Sequence, residues 1–280
     1  MSIIADGKLI AEKNILELKT KIKKSNFKTS PIFVIIQIGR NSESNLYIKN
    51  KKTLAENLGF ILEHYKFDSD IKTKNIIKKI KELNENNDIC GIMVQLPLPK
   101  KLNTNKILNS ISVNKDIDGL NKKNQNSILN GKSKFISPTA LSVESVLDFY
   151  NINIKNRDVI VVGKGRVAGK PISLLMKKRG GNVKVITKRN SYKLEKNLQY
   201  SDIVISAVGK ENLIKKRMVS KDAVLIDVGT KIKNGKLVGD LDFNSLKDNV
   251  FLITPTPGGI GVITVSFLMS NVLKAYKLNS

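Results

Sequence analysis

Apolar positions along the chain follow two rhythms, and their alternation predicts the architecture. In "KLIAEKNILELKTKIKK" they recur at three- and four-residue intervals, which is helical spacing. "PIFVIIQIG" is a short, β-rich apolar run ended by glycine, the pattern of a buried strand. "NSESNLYIKNKKTLAENLG" opens on Ser and Asn and closes on Gly, as a capped helix does. "FILEHYKF" reads as a strand, "IKTKNIIKKIKELNEN" as an amphipathic helix, and "ICGIMVQLPLP" as a strand stopped by two prolines. Strand, helix, strand, helix, strand is the order of a parallel α/β sheet.

From Lys100 to about Pro138 the pattern turns loop-rich, and "TALSVESVLDFYN" resumes as helix. A second cycle follows: "DVIVVG" strand, "AGKPISLLMKKRG" helix, "NVKVIT" strand, a short helix to Gln199, then "DIVISAVG" and "AVLIDVG" strands. "TPTPGGIGVITVSFLMSNVLKAYK" ends the chain as a glycine turn feeding a long apolar helix. The expected organisation is two α/β domains. The first covers residues 1–138 and is completed by the C-terminal helix, 257–280. The second, 139–256, is a Rossmann-type dinucleotide-binding domain. Ligands in such sheets lie beyond the carboxyl ends of the strands.

The turn that opens the second cycle carries the first chemical signal. Gly163, Gly165 and Ala168 form G-x-G-x-x-A between a strand and a helix, a dinucleotide fingerprint. Gly163 allows the tight turn, Gly165 lets a diphosphate approach the backbone, and the helix N-terminus offers N–H groups and partial positive charge. Gly169 and Pro171 suit a helix start. In NAD-selective sites an acid near the end of the second strand takes the ribose hydroxyls. Here that strand ends in Lys188 and Arg189, and Lys164 lies in the turn. Three cations around the 2′ position favour a phosphate there, hence NADP.

Charge adds a general preference. Of 280 residues, 49 are Lys or Arg and 24 Asp or Glu, a net charge of +25. The cations recur along most of the chain beside many Asn and Ile, which marks a compositional bias. Such a surface attracts anions of several kinds. No aromatic-plus-basic sheet motif or zinc-finger spacing points to specific nucleic-acid binding. The single cysteine, Cys90, excludes an internal disulfide framework and sits in an apolar run as a small hydrophobe. The single histidine, His64, excludes His-rich metal sites and a Ser-His-Asp triad, and reads as a surface or strand-edge residue. No apolar run reaches the ~20 residues of a spanning helix, and the first residues are not a secretory signal. The expectation is a cytoplasmic protein with no metal, whose chemistry uses Lys, Tyr, Asp, backbone groups or a cofactor.

In "SNLYIKNKK", Tyr47 and Lys51 are four apart and share a helix face. A lysine inside an apolar domain has its pKa lowered by burial and can act as acid or base. Gln95 interrupts the strand "GIMVQLPLP", and Asp118 lies in the turn-like "KDIDGLN". Read alone, these residues leave the reaction open.

Together, "SNLYIKNK", "GIMVQLPLP", "KDIDGLN", "VVGKGRVAGKP", "SDIVISAVGK", "LIDVG", "VGDLDF" and "ITPTPGGIGVIT" resemble, in order and over nearly the whole chain, the bifunctional methylenetetrahydrofolate dehydrogenase/cyclohydrolases of one-carbon metabolism. The resemblance implies an active-site cleft between the two domains and a homodimer formed through the Rossmann domain. It implies Lys51 as the catalytic lysine, with Tyr47 stacked on the folate ring. Gln95 would bond Lys51, and Asp118 would bind the amino-pyrimidine edge. Pro257, Gly258, Gly259 and Gly261 would line the cleft. Cofactor contacts would come from Gly163, Lys164, Gly165, Arg166, Lys188, Arg189, Ala207, Gly209, Thr230 and Thr264. The implied reactions are NADP-dependent oxidation of 5,10-methylenetetrahydrofolate to the methenyl form, and hydrolysis of that form to 10-formyltetrahydrofolate.

The chain departs from the family pattern in places. The usual Gly-Arg-Ser turn is Gly163-Lys164-Gly165, and the usual His-Ser is Lys188-Arg189. Val262-Ile263 stands for Pro-Met, Ser137-Pro138-Thr139-Ala140 for Pro-Cys-Thr-Pro, and Asn126 for a common glycine. A dehydrogenase lacking the second activity, using NAD or NADP, is the alternative within the family. A basic nucleic-acid-binding protein is the alternative outside it.

Overall fold

The computed structural model describes residues 2–25, 27, 29–39 and 42–279. Its strands are β1 (Ile3–Ile4), β2 (Ile32–Ile38), β3 (Ile61–Phe67), β4 (Ile89–Val94), β5 (Asp158–Val162), β6 (Asn182–Ile186), β7 (Ile203–Ser206), β8 (Val224–Asp227), β9 (Thr230–Lys233), β10 (Lys236–Gly239) and β11 (Leu252–Ile253). The chain divides into two compact units. One holds residues 14–127, 132–138 and 265–280; the other holds 1–13, 128–131 and 139–264.

The first of these units is built on the parallel sheet β3-β2-β4. Alternation along β2 sends successive side chains to opposite faces. Phe33 and Ile35 join a core with Ile48, Ala55, Met93, Leu268, Met269 and Val272. Val34, Ile36 and Ile38 join another with Ile76, Ile80 and Leu83 of the helix Thr73–Glu85. The end of the last helix, from Val265, thus supplies one face of this sheet with apolar cover.

The other unit is built on a six-stranded sheet, β1-β11-β8-β7-β5-β6, parallel at every pairing. Its core gathers Ile160, Val162, Ile186, Val204, Leu225 and Ile253 with Leu194 and Leu198. The sequence pattern places residues 1–138 together, but β1 pairs with β11 and so belongs to this sheet. Two residues carry no periodicity, which is why the pairing leaves no trace in the sequence.

Two further departures have local causes. The loop-rich stretch holds short helices at Thr104–Ser110 and Lys122–Asn126, each started by an asparagine. Asn103 accepts from Lys106 N and Asn121 from Lys123 N. Strands β9 and β10 form an antiparallel hairpin around Asn234 and Gly235, at φ 50° and 74°, the left-handed pair that an Asn-Gly turn supplies. Among the described residues no helix is long and apolar enough to cross a membrane.

Candidate active site

Lys51 lies on the helix Ser42–Asn57, one turn after Tyr47, and is 7% exposed. Its Nζ donates to Gln95 Oε1 at 2.8 Å. Gln95 follows β4; its N–H donates to the Ile36 carbonyl at 2.8 Å and its side-chain Nε2 to the Leu96 carbonyl at 2.9 Å. With Nε2 so engaged, Oε1 is held toward the lysine. An amide oxygen only accepts, so it takes one N–H and leaves the lone pair of a neutral amine directed elsewhere.

Burial lowers the Lys51 pKa to about 8, against the attraction of Asp118, which raises it. Burial in turn raises Asp118 to about 6, against the pull of Lys51. Burial thus moves the two pKa values toward each other. Tyr47 is half-buried on the same helix.

The segment that carries Asp118 is held by groups the sequence reading missed. Lys115, 6% exposed, donates from Nζ to the carbonyls of Leu83, Asn84 and Asn86 at 3.2, 2.8 and 2.7 Å, at the C-terminal end of the helix Thr73–Glu85. Asp116, 1% exposed, accepts from Leu120 N, Asn121 N and Asn124 Nδ2 at 3.2, 2.8 and 2.8 Å. Asn271 of the last helix donates to the carbonyls of Ile117 and Ile136. Gly91 of β4 makes room, since a Cβ there would meet Ile117 Cγ2 at 2.5 Å. The Lys115 and Asn271 bonds are long-range pairings to backbone, which no local spacing announces.

A second polar outlier in an apolar strand, Gln37 of "FVIIQIG", repeats the signal that marked Gln95. It is 4% exposed and donates to Asn45 Oδ1 at 2.9 Å, while its Oε1 has no partner among the described residues. His64 sits on edge strand β3, its pKa lowered by burial and then by Lys66 and Lys52. Cys90 is buried, and burial pushes its thiol up to about 12, so it stays protonated and inert.

In the six-stranded unit the predicted cofactor residues other than Thr264 follow the carboxyl ends of four neighbouring strands. Gly163 ends β5 at φ 103°; a Cβ there would meet the Ala207 carbonyl oxygen at 2.5 Å. Gly165 has only open space where a Cβ would lie, so no protein atom accounts for its being glycine. A close ligand would account for it, which is how a dinucleotide fits this turn. The helix Gly169–Lys178 follows directly. Lys188 and Arg189 are exposed in the turn after β6. Asn190 fixes that turn, accepting from Thr187 N at 2.6 Å and donating to the Val185 carbonyl at 3.2 Å. Ala207 and Gly209 follow β7, and Thr230 begins β9. Lys164 is exposed and Arg166 half-buried.

Pro257, Gly258 and Gly261 are exposed at the start of the last helix, and Gly259 is buried there. The Gly258 and Gly259 carbonyls press against Gly7. The Thr264 hydroxyl donates to the Ile260 carbonyl at 2.9 Å and lies 3.3 Å from the Ser142 hydroxyl, so it is already engaged. Among the described residues no three His, Cys, Asp or Glu side chains cluster as metal ligands.

Comparison with known proteins bears on this geometry. Residues 5–118 match the tetrahydrofolate dehydrogenase/cyclohydrolase catalytic domain, and residues 137–280 match that family's NAD(P)-binding domain. The chain is 39% identical over 276 residues to the "Bifunctional protein FolD" of Hydrogenobaculum sp. (strain Y04AAS1), covering 98% of each. It superposes at a TM-score of 0.94 and 30% identity, covering 100% of both chains, on the bifunctional FolD methylenetetrahydrofolate dehydrogenase/cyclohydrolase of Campylobacter jejuni. The Trypanosoma brucei dehydrogenase-cyclohydrolase, solved with NADP cofactor and an inhibitor, gives a TM-score of 0.93 at 28% identity, covering 99% of this chain and 98% of that one.

Proposed function

The chain belongs to the tetrahydrofolate dehydrogenase/cyclohydrolase family, and from that premise we propose how its residues divide the work. It oxidises 5,10-methylenetetrahydrofolate with NADP and hydrolyses the methenyl product to 10-formyltetrahydrofolate. The observation that carries the assignment of roles is the buried Lys51 amine bonded to Gln95 at 2.8 Å, with its pKa near 8.

A general acid/base works best when its pKa lies near the working pH. An unperturbed lysine, near 10.4, is almost wholly ammonium at neutral pH; Lys51 has a substantial neutral fraction. In the hydrolytic step, water adds to the methenyl carbon and neutral Lys51 takes a proton from it. The ammonium so formed returns that proton to the ring nitrogen as its bond to the carbon breaks; the remaining hydroxyl proton passes to solvent as the carbonyl forms, and the formyl group is left on the other nitrogen. Gln95 keeps the lone pair free to do this. Asp118, with a pKa near 6, is largely ionised at neutral pH and accepts N–H bonds from the amino-pyrimidine edge. Its charge also limits how far burial can lower Lys51. Tyr47 stacks against the ring.

When bound, NADP supplies the acceptor for the hydride that leaves the methylene carbon. The chain's part in that step is binding and orientation. Gly163, Gly165 and Arg166 hold the diphosphate region, and Lys164, Lys188 and Arg189 meet the 2′-phosphate. Ala207, Gly209, Thr230 and Thr264 flank the nicotinamide half. Pro257, Gly258, Gly259 and Gly261 contact the folate. A homodimer is carried from the family resemblance and a cytoplasmic location from the sequence composition; sedimentation at one-chain mass would remove the dimer.

The test of the reading is Lys51→Met. Loss of methenyl hydrolysis with NADP binding intact is expected; full hydrolysis would remove Lys51 from the mechanism.

A further inference from the structure

Two buried carboxylates of the six-stranded unit have no part in this division of work. Asp227 ends β8 at 3% exposure and Asp240 follows β10 at 0%. Asp240 Oδ2 accepts from the Ser206 hydroxyl at 2.6 Å and from Val208 N at 2.8 Å. Its Oδ1 accepts from Lys210 N at 2.6 Å. Two of the three donors are therefore backbone amides on either side of Gly209, which is at φ 74°. Asp227 fixes Asp240 from behind: Oδ1 accepts from Asp240 N at 3.0 Å and Oδ2 from Leu241 N at 3.1 Å. Its own N–H donates to Thr254 Oγ1 at 2.7 Å.

The surrounding glycines are shaped to these acids. A Cβ on Gly229 would overlap the Asp240 carboxylate, and one on Gly239 would overlap Asp227 Oδ2. The turn that Asp240 holds also touches the fingerprint. Ala207 N donates to the Val162 carbonyl at 2.8 Å, and the Ala207 carbonyl is what a side chain at Gly163 would strike. A continuous set of short contacts thus runs from Asp227 through Asp240 and residues 207–210 to the Gly163 turn.

We propose that Asp240, braced by Asp227, is a positioning residue for the dehydrogenase step: it fixes the 207–210 turn against the glycine turn and so sets the seat of the cofactor. The inference rests on the NADP reading above. A carboxylate suits the task because all three of its partners are donors. An amide in its place would turn an N–H toward one of them, whichever way it flipped.

The test is Asp240→Asn, measured by NADPH fluorescence titration without folate, by the KM for NADP, and by methenyl hydrolysis without cofactor. Binding of NADPH should weaken about 10- to 100-fold, with the KM for NADP rising in step. Hydrolysis and the KM for methylenetetrahydrofolate should stay within about twofold. Unchanged NADPH binding would overturn the proposal, as would a parallel fall of both activities. Should Asp240→Asn fail to fold, Gly229→Ala decides, because its methyl displaces the carboxylate without removing it; the same selective loss is expected, and its absence would overturn the proposal. A wild-type protein that does not bind NADPH would instead sink the underlying reading.

Discussion

The folate-side residues and the cofactor-side residues solve different problems, and their surroundings differ accordingly. Lys51 is 7% exposed, bonded to one neutral acceptor and one turn from a half-buried tyrosine. Lys164, Lys188 and Arg189 are exposed. Burial changes what a lysine is: it brings the amine to about pH 8 and makes proton transfer possible. Exposure leaves a cation a cation, useful for meeting phosphate and little else. In a chain with a net charge of +25, position separates the buried Lys51 from the exposed lysines.

The contrast is broken most severely by Lys51→Met. We expect methenyl hydrolysis to fall about 10²- to 10⁴-fold, the usual worth of a general acid/base, while the exposed Lys188→Met leaves it unchanged. Stopped-flow decay of the methenyl chromophore reads both.

Stability against pH sharpens the same contrast. The folded-state pKa of Lys51 is depressed from 10.5 to about 8. Between those values the unfolded chain binds more protons than the folded one, so this group's contribution rises with pH across the window and is lost as pH falls to 8. At about 1.4 kcal/mol per unit, the difference between wild type and Lys51→Met should change by roughly 3 kcal/mol between pH 8 and 10.5. Urea unfolding of both proteins at several pH values measures this.

Asp118→Ala removes a charged acceptor from the folate edge. Folate binding should weaken by roughly 1.5–3 kcal/mol, the range for hydrogen bonds to charged groups, with NADP affinity unchanged by titration. Equal folate affinity would take Asp118 out of the site. The smallest effect is expected on the exposed side. Reversing Lys188 and Arg189 to Glu should weaken NADP about tenfold more than NAD, consistent with surface pairs worth up to ~1 kcal/mol each. Equal losses would mean that they do not read the 2′-phosphate.

The parts of this site that were legible in the sequence share one property: each violates its local pattern. Gln95 interrupts an apolar strand, and Gly163 and Gly165 interrupt a strand-to-helix junction; Lys51, one lysine among many, stood out only through the family resemblance. The parts that were not legible act at long range on backbone groups. Lys115 caps a helix some thirty residues before it, and Asn271 reaches Ile117 from the last helix. Asp240 binds amides thirty and more positions away. No spacing rule encodes such partners, because the fold decides which orphan donor or acceptor each side chain meets. The β9–β10 hairpin is a different case, since its Asn234-Gly235 signal stood in the sequence and the reading passed over it.

The most direct test of the central claim, that burial makes Lys51 reactive, is its own titration. Side-chain ¹⁵N NMR of lysine-labelled protein, with the Lys51 resonance identified by its absence in Lys51→Met, follows that amine alone. A midpoint near pH 8 is the result this account predicts. A Lys51 midpoint near 10.4, the value of a free lysine side chain, would contradict it.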